Sequence, residues 1–153
     1  MSIALSSAGV LLKYAPEATK GTRPTTGFTT IKGIKSIPDL NPEPSQLETT
    51  DLAQIEYKTY IAGLKDTGGA LSFGANNHAD FQTTWNDVVE AYETASADDK
   101  AVWFEIYIPN FKSFYFKGEP VKLGLSGIEV DSVLEINAYV VPSGIEGWGT
   151  SST

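Results

Sequence analysis

The segments FQTTWNDVVEAY (residues 81–92) and AVWFEIYI (residues 101–108) stand close together in the chain and carry different periodicities. In the first, Phe81, Trp85, Val88, Val89 and Tyr92 fall at i, i+4, i+7, i+8 and i+11, which is one stripe of a 3.6-residue helix. The stripe predicts a helix over about 78–96 that packs on a sheet through those five side chains. Asn77 is the expected N-cap, with Asp80 in the first turn, where the positive helix end favours an acid. Asp98 and Asp99 oppose the dipole at the other end and should stop the helix by about Ser96. The second segment is apolar on both faces except at Glu105, so it reads as a strand covered on both sides.

Working outward, the last third reads as strands. Ser113 to Gly118 places Phe114 and Phe116 inward, with Tyr115 and Lys117 outward. Val121, Leu123 and Leu125 repeat the alternation, and Ser132 to Val141 sets Leu134, Ile136, Ala138 and Val140 against Glu135 and Asn137. Upstream, Gln46 to Asp51 is a short polar strand candidate. Gln54 to Ile61 alternates cleanly, the glycines of Gly63 and the Asp66–Gly69 turn end it, and Gly69 to Ala75 is a further strand. The first third is turn-rich. Pro38, Pro42 and Pro44 bar Ile37 to Ser45 from a central strand or a helix and predict an ordered, extended arm. The expected fold is mainly β (α+β): a β-sandwich of about seven or eight strands with one flanking α-helix, in a single domain over 1–142. Residues 143–153, rich in Gly, Ser and Thr, are expected to form a loose tail.

Composition narrows the chemistry. The 153-residue chain has no cysteine and one histidine, His78. Disulfide scaffolds, thiolate metal sites and multi-His metal sites are excluded. Eleven basic against 19 acidic residues give a net charge of −8, unsuited to steady binding of a phosphate backbone. No apolar run is long enough for a transmembrane helix, and no positive leader precedes Lys13, so synthesis in a cytoplasm is expected. No enzyme motif is found: Gly63-Leu-Lys-Asp-Thr-Gly-Gly is not a P-loop, and GxGxxG and GxSxG are absent. His78 beside a helix start reads as a surface or capping residue. Asp98-Asp99 lacks the rest of a calcium loop. No catalytic residue, metal or cofactor is expected. Acidic excess, many strands, a proline-stiffened arm and abundant aromatics suit a protein whose task is assembly.

The run from Lys32 to Asn77 resembles the major tail proteins (tail tube proteins) of long-tailed bacteriophages. The resemblance is carried by Ile37-Pro38-Asp39-Leu40, Glu48-Thr49-Thr50, Tyr60-Ile61-Ala62-Gly63-Leu64-Lys65-Asp66, and Leu71, Phe73 and Asn76, with Gly21-Thr22-Arg23-Pro24 nearer the start. It implies a virion structural protein forming rings of six that stack into a hollow tube, each subunit extending strands into an inter-subunit barrel. The implied partners are further copies of the chain, a tape-measure protein in the lumen, distal tail and tail-terminator proteins, and viral double-stranded DNA in transit only, with no membrane. The implied location is the virion tail, after synthesis in the bacterial host cytoplasm.

About 24 strands spaced about 4.8 Å apart make a barrel about 37–52 Å across, whose bore admits duplex DNA once inward side chains are subtracted. An acidic wall lets such a polyanion slide. Glu48, Asp51, Glu56 and Glu135 are the candidates for the lumen, although alternation lets only one parity of each strand face inward. The arm and the following turn are the candidates for inter-subunit contact: Ile37, Pro38, Asp39, Leu40, Pro42, Pro44, Leu64, Lys65 and Asp66. The alternative is a stand-alone β-sandwich module that binds carbohydrate or a receptor through exposed tryptophans such as Trp148.

Overall fold

The computed structural model describes residues 9–40, 43–50, 52–53, 57–58, 60–66, 70–125 and 127–152. The chain divides into two compact units, Met1–Pro38 with Ala70–Thr153, and Asp39–Gly69. The smaller unit falls within the 1–142 span read as one domain.

In the larger unit, seven strands form one curled antiparallel sheet with a helix on it, so the fold is mainly β with a flanking helix. The strands are β1 (Leu11–Pro16), β2 (Thr29–Thr30), β3 (Ile34–Ser36), β6 (Leu71–Asn76), β7 (Val102–Tyr107), β8 (Ser113–Pro120) and β9 (Glu135–Gly149). The two strands between β3 and β6, β4 (Glu43–Glu48) and β5 (Tyr60–Asp66), belong to the smaller unit. The sheet order is β2-β1-β7-β8-β9-β6-β3. Thus the first third of the chain, read as turns, contributes three strands, two of them at the sheet margins.

Helix α1 (Ala79–Ala97) buries Phe81, Trp85, Val88 and Val89 as the stripe predicts, and Ala95 as well, while Tyr92 is half-buried. It packs over β1, β7 and β8. Its cap is His78 rather than Asn77: His78 has extended backbone, and its Nδ1 accepts from Asp80 N–H at 3.2 Å. Asn77 instead receives a bond on Oδ1 from Gln82 Nε2 at 2.7 Å. At the other end Asp98 is the C-cap, and Asp99, at φ 57°, ion-pairs with Lys20.

The core between helix and sheet is aromatic. Phe116 stacks on Phe73 at 6.3 Å and on Phe104 at 5.2 Å, and Phe81 stacks on Trp85 at 5.9 Å. Leu71, Phe73 and Ala75 of β6 lie opposite Val140, Ala138 and Ile136 of β9, and all six are buried. Leu134, expected with them, precedes β9 and is exposed.

Three strand readings are corrected. Residues 121–125 alternate like a strand but have no ladder partner and are not one. β9 runs on through Gly149, so residues 143–149, expected to be loose, pair with β8. The sequence hides this because Ser143 and Glu146 are each skipped in the β8–β9 register, and such bulges break the period of two. Gly147 supplies the positive φ, 99°, next to the second bulge. In β8, Tyr115 alternates with Phe116 as expected but is buried, because Arg23 and the chain at Thr150 cover that face, and Phe114 is only half-buried.

In the smaller unit, β4 and β5 form a two-stranded antiparallel ribbon. The strand expected over Gln46–Asp51 begins three residues earlier, taking in Glu43 to Ser45 of the supposed arm. Both strands of a two-stranded ribbon are edges, so Pro44 is tolerated there, and the register shifts between Pro44 and Gln46. β5 starts at Tyr60 and continues to Asp66, so Ala62 to Asp66, expected in a turn, are strand, and Tyr57 and Lys58 are not. Residues 54–56, 59 and 67–69 of the expected strand and turn lie outside the described residues.

Candidate functional site

Two carboxylates of the larger unit are buried, Glu105 and Glu17. Glu105, on β7, is fully buried. Its Oε2 accepts from Ser152 N–H at 3.0 Å and lies 3.0 Å from Tyr115 Oη, and its Oε1 accepts from Ser152 Oγ at 2.5 Å. Tyr115 Oη is also 2.5 Å from the Thr150 carbonyl, and Ser113 Oγ donates to Ser151 Oγ at 3.0 Å. Burial pushes the Glu105 carboxyl up, but the bonds from Ser113, Ser152 and Tyr115 outweigh it and hold the group below its ordinary value. Burial and the neighbouring Glu105 push the Tyr115 hydroxyl up to about 12.

Arg23, from the GTRP turn, lies over the same tyrosine, its guanidinium carbon 3.8 Å from the ring centroid and its Nε 2.6 Å from Glu146 Oε2. Glu17 is the second buried carboxylate, accepting from Ala101 N–H at 2.8 Å, Trp103 Nε1 at 2.9 Å and Gly21 N–H at 3.3 Å. Burial raises its pKa, and these bonds bring it below the ordinary value. Both carboxylates therefore act as anchors for chain segments that cover the sheet.

Among the described residues no cluster of acids and histidine is arranged to hold a metal ion. A cleft of about 300 Å³ between α1 and the Glu17–Gly21 segment is lined by charged groups that bind one another, Lys20 with Asp99 among them. What the molecule does present is unfinished β-structure. β3 has β6 on one side and no described strand on the other, and β2 covers β1 at Lys13 and Tyr14, with Ile31 N–H donating to the Leu12 carbonyl at 2.8 Å, which leaves the Ala15–Pro16 end of β1 without a described strand beside it. Among the described residues, Val141–Gly149 of β9 pair with β8 alone, since β6 covers β9 over Glu135–Val140. Open strand margins of this kind invite pairing with another chain.

The predicted site residues divide unevenly. Glu48 is exposed at the end of β4, opposite Tyr60. Glu135 is exposed at the start of β9 and ion-pairs with Lys35 of β3, so its charge is matched within the chain. Asp51 and Glu56 lie outside the described residues. Of the contact candidates, Ile37, Pro38 and Leu40 are half-buried and Asp39 is exposed. Pro44 lies in β4, and Leu64, Lys65 and Asp66 lie in β5, whereas Pro42 is outside the described residues. Glu48, β4 and β5 thus share the hairpin unit, and Glu135 belongs to the other. Sequence reasoning missed the Glu105–Tyr115–Ser152 clasp and the Arg23 clip. The one signal for either was a lone acid inside an otherwise apolar strand.

No family model matches the chain, and no curated protein matches it. Solved structures do. The fold is similar to that of a chain of the anti-feeding prophage (AFP) baseplate, with TM-score 0.65 and 12% identity over 97% of this chain and 98% of that one. A chain of the AFP tube-terminating cap gives TM-score 0.61 and 7% identity over 99% and 94%. A chain of the tail of an empty gene transfer agent (GTA) particle, refined with C6 symmetry, gives TM-score 0.57 and 14% identity over 97% and 100%. The chain therefore shares, over nearly its whole length, the fold of components of phage-like tail assemblies.

Proposed function

We propose that the chain is a structural, non-enzymatic subunit of a phage-type tail that assembles with its own copies into six-membered rings, stacked as the tube through which a genome passes. The observation that carries this reading is the end-to-end likeness of fold to a chain of a C6-symmetric tail. The uncovered margins of β3, of β1 and of the second half of β9 support it physically, because a subunit that lends strands to a shared barrel needs them free. The exposed row Glu135, Asn137 and Tyr139 alternates with the buried row of β9 and offers a polar face to a bore. A net charge of −8 keeps transiting DNA from sticking.

In this reading the lumen also holds a tape-measure protein, and the tube meets distal tail and terminator proteins in a virion built in the host cytoplasm. The β4–β5 hairpin reaches to a neighbouring subunit or ring, with the arm from Ile37 as its root. Shortening Asp66–Gly69 is expected to leave a folded chain, with an unchanged far-UV spectrum and cooperative melt, that no longer forms tubes under the electron microscope. Tubes of normal length from that variant would remove the hairpin from the assembly contacts.

A further inference from the structure

We infer that the chain bears the two unlike halves of one head-to-tail junction: the aliphatic connection between β8 and β9, and the aromatic end of the sheet where β7 turns into β8. Each is covered by the other on a neighbouring copy of this chain. The inference rests on the ring-forming reading and names the surfaces that close the ring.

The first half is made of the described residues of the connection, 121–125 and 127–134. Leu125 is 80% exposed, Ile128 64%, Val130 90%, Val133 70% and Leu134 46%. Single exposed apolar residues are ordinary, but five within ten positions make a patch that water disfavours. The connection is also held in place. The Val121 carbonyl accepts from Trp85 Nε1 at 2.8 Å, and Val121 N–H donates to the Tyr139 carbonyl at 2.9 Å. Further on, Ser132 Oγ donates to the Glu129 carbonyl at 3.0 Å, and Asp131 turns the chain at φ 62°. A patch ordered before contact loses less freedom on docking.

The second half is a cluster of rings. Trp148, 55% exposed, meets Phe111 edge-on at 5.6 Å and Phe114 at 5.3 Å, and Phe111 is itself 51% exposed. Large rigid aromatics of this kind serve well as contact anchors.

Placement and charge select the partner. Phe114 pairs with Trp148 at one end of the β8–β9 ladder, and Pro120 pairs with Val140 at the other, where the aliphatic connection begins. Along β8, which carries no extra residue, six steps separate Phe114 from Pro120, roughly 20 Å at strand rise. The two patches stand too far apart to merge, so a pairing of like patches, aliphatic on aliphatic or aromatic on aromatic, would leave the other wet. A head-to-tail contact covers both and closes into a ring when its rotation allows. The aliphatic connection carries Glu129 and Asp131, with Lys122 near its start. The aromatic end carries Lys112 beside Phe111, and Lys13, whose ammonium lies 4.5 Å above the Tyr107 ring. Acid on one half and base on the other favour the unlike encounter over either like one.

Two full-length variants test this, read by sedimentation or mass photometry at a concentration where the wild type assembles. One carries Ile128→Asp with Val130→Asp, the other Phe111→Asp with Lys112→Asp. All four positions are exposed, and wild-type melting confirms each fold. Each variant alone is expected to remain a single chain. Mixed in equal amounts, they are expected to give a two-chain species and nothing longer, because the mixture restores one sound junction per pair. Ring formation by either variant alone overturns the inference while leaving the ring reading intact. So does a two-chain species from either variant alone, or a mixture that stays monomeric. A wild type that never assembles overturns both.

Discussion

Trp85→Ala is expected to bring the protein close to unfolding. Trp85 is fully buried, stacks on Phe81 at 5.9 Å and donates from Nε1 to the Val121 carbonyl at 2.8 Å. Truncating a buried tryptophan costs about 3–5 kcal/mol, through lost transfer energy and the cavity left behind. Domains hold only about 5–15 kcal/mol in total, so the melting midpoint should fall by roughly 10 °C or more. Trp85→Phe separates the two contributions. It keeps most of the packing against β1, β7 and β8 but orphans the Val121 carbonyl, for a loss of about 1 kcal/mol. Thermal and urea denaturation of the two variants measures the difference. Equal losses would mean that the indole N–H, and not the ring, fastens the helix.

The second large effect is at Glu105. Glu105→Gln keeps the shape, but it removes the charge that Ser152 N–H, Ser152 Oγ and Tyr115 Oη converge on, and it points amide hydrogens at donors. Hydrogen bonds to a buried charge are worth about 1.5–3 kcal/mol, so a loss of that order is expected, with residues 150–152 released to carboxypeptidase. The pH dependence follows from the directions of the shifts. The folded Glu105 carboxyl lies below its ordinary value of 4.5, so its contribution is complete above that value and fades as pH falls through the folded value. The wild type should therefore lose stability more steeply in acid than Glu105→Gln does. Tyr115 runs the other way. Raised from 10.0 to about 12, it favours the folded state below pH 10 and ceases to contribute as pH rises through 12. Parallel acid limbs for wild type and Glu105→Gln would show that Glu105 does not govern the acid transition.

What could be read beforehand was whatever depends on near neighbours in sequence. The stripe from Phe81 to Tyr92 specifies a helix face because residues three and four apart share one side. AVWFEIYI specifies a doubly covered strand because alternate residues take opposite faces. Alternation says which face a residue takes, however, and not whether a neighbouring strand exists. Val121, Leu123 and Leu125 have the pattern of β8 and no partner, and their neighbours lie open to water. The second half of β9 has a partner but no pattern, because bulges at Ser143 and Glu146 interrupt the period. Pro44 argued against a central strand and in fact sits in a two-stranded ribbon, both of whose strands are edges.

The site was less legible still. Glu105 was visible as an acid within an apolar run, but the Ser152 that satisfies it stands 47 residues away, a distance no periodicity spans. Glu135 was read as free acidic lining, and its pairing with Lys35, 100 residues away, depends on β3 and β9 both flanking β6.

The central claim is that this chain closes its uncovered strand margins with copies of itself. Electron microscopy of the purified wild-type protein, concentrated and offered a tail tip as seed, tests it directly. Six-fold rings and rods with a central bore are the predicted images. Particles of one chain at every concentration, seeded or not, would contradict it.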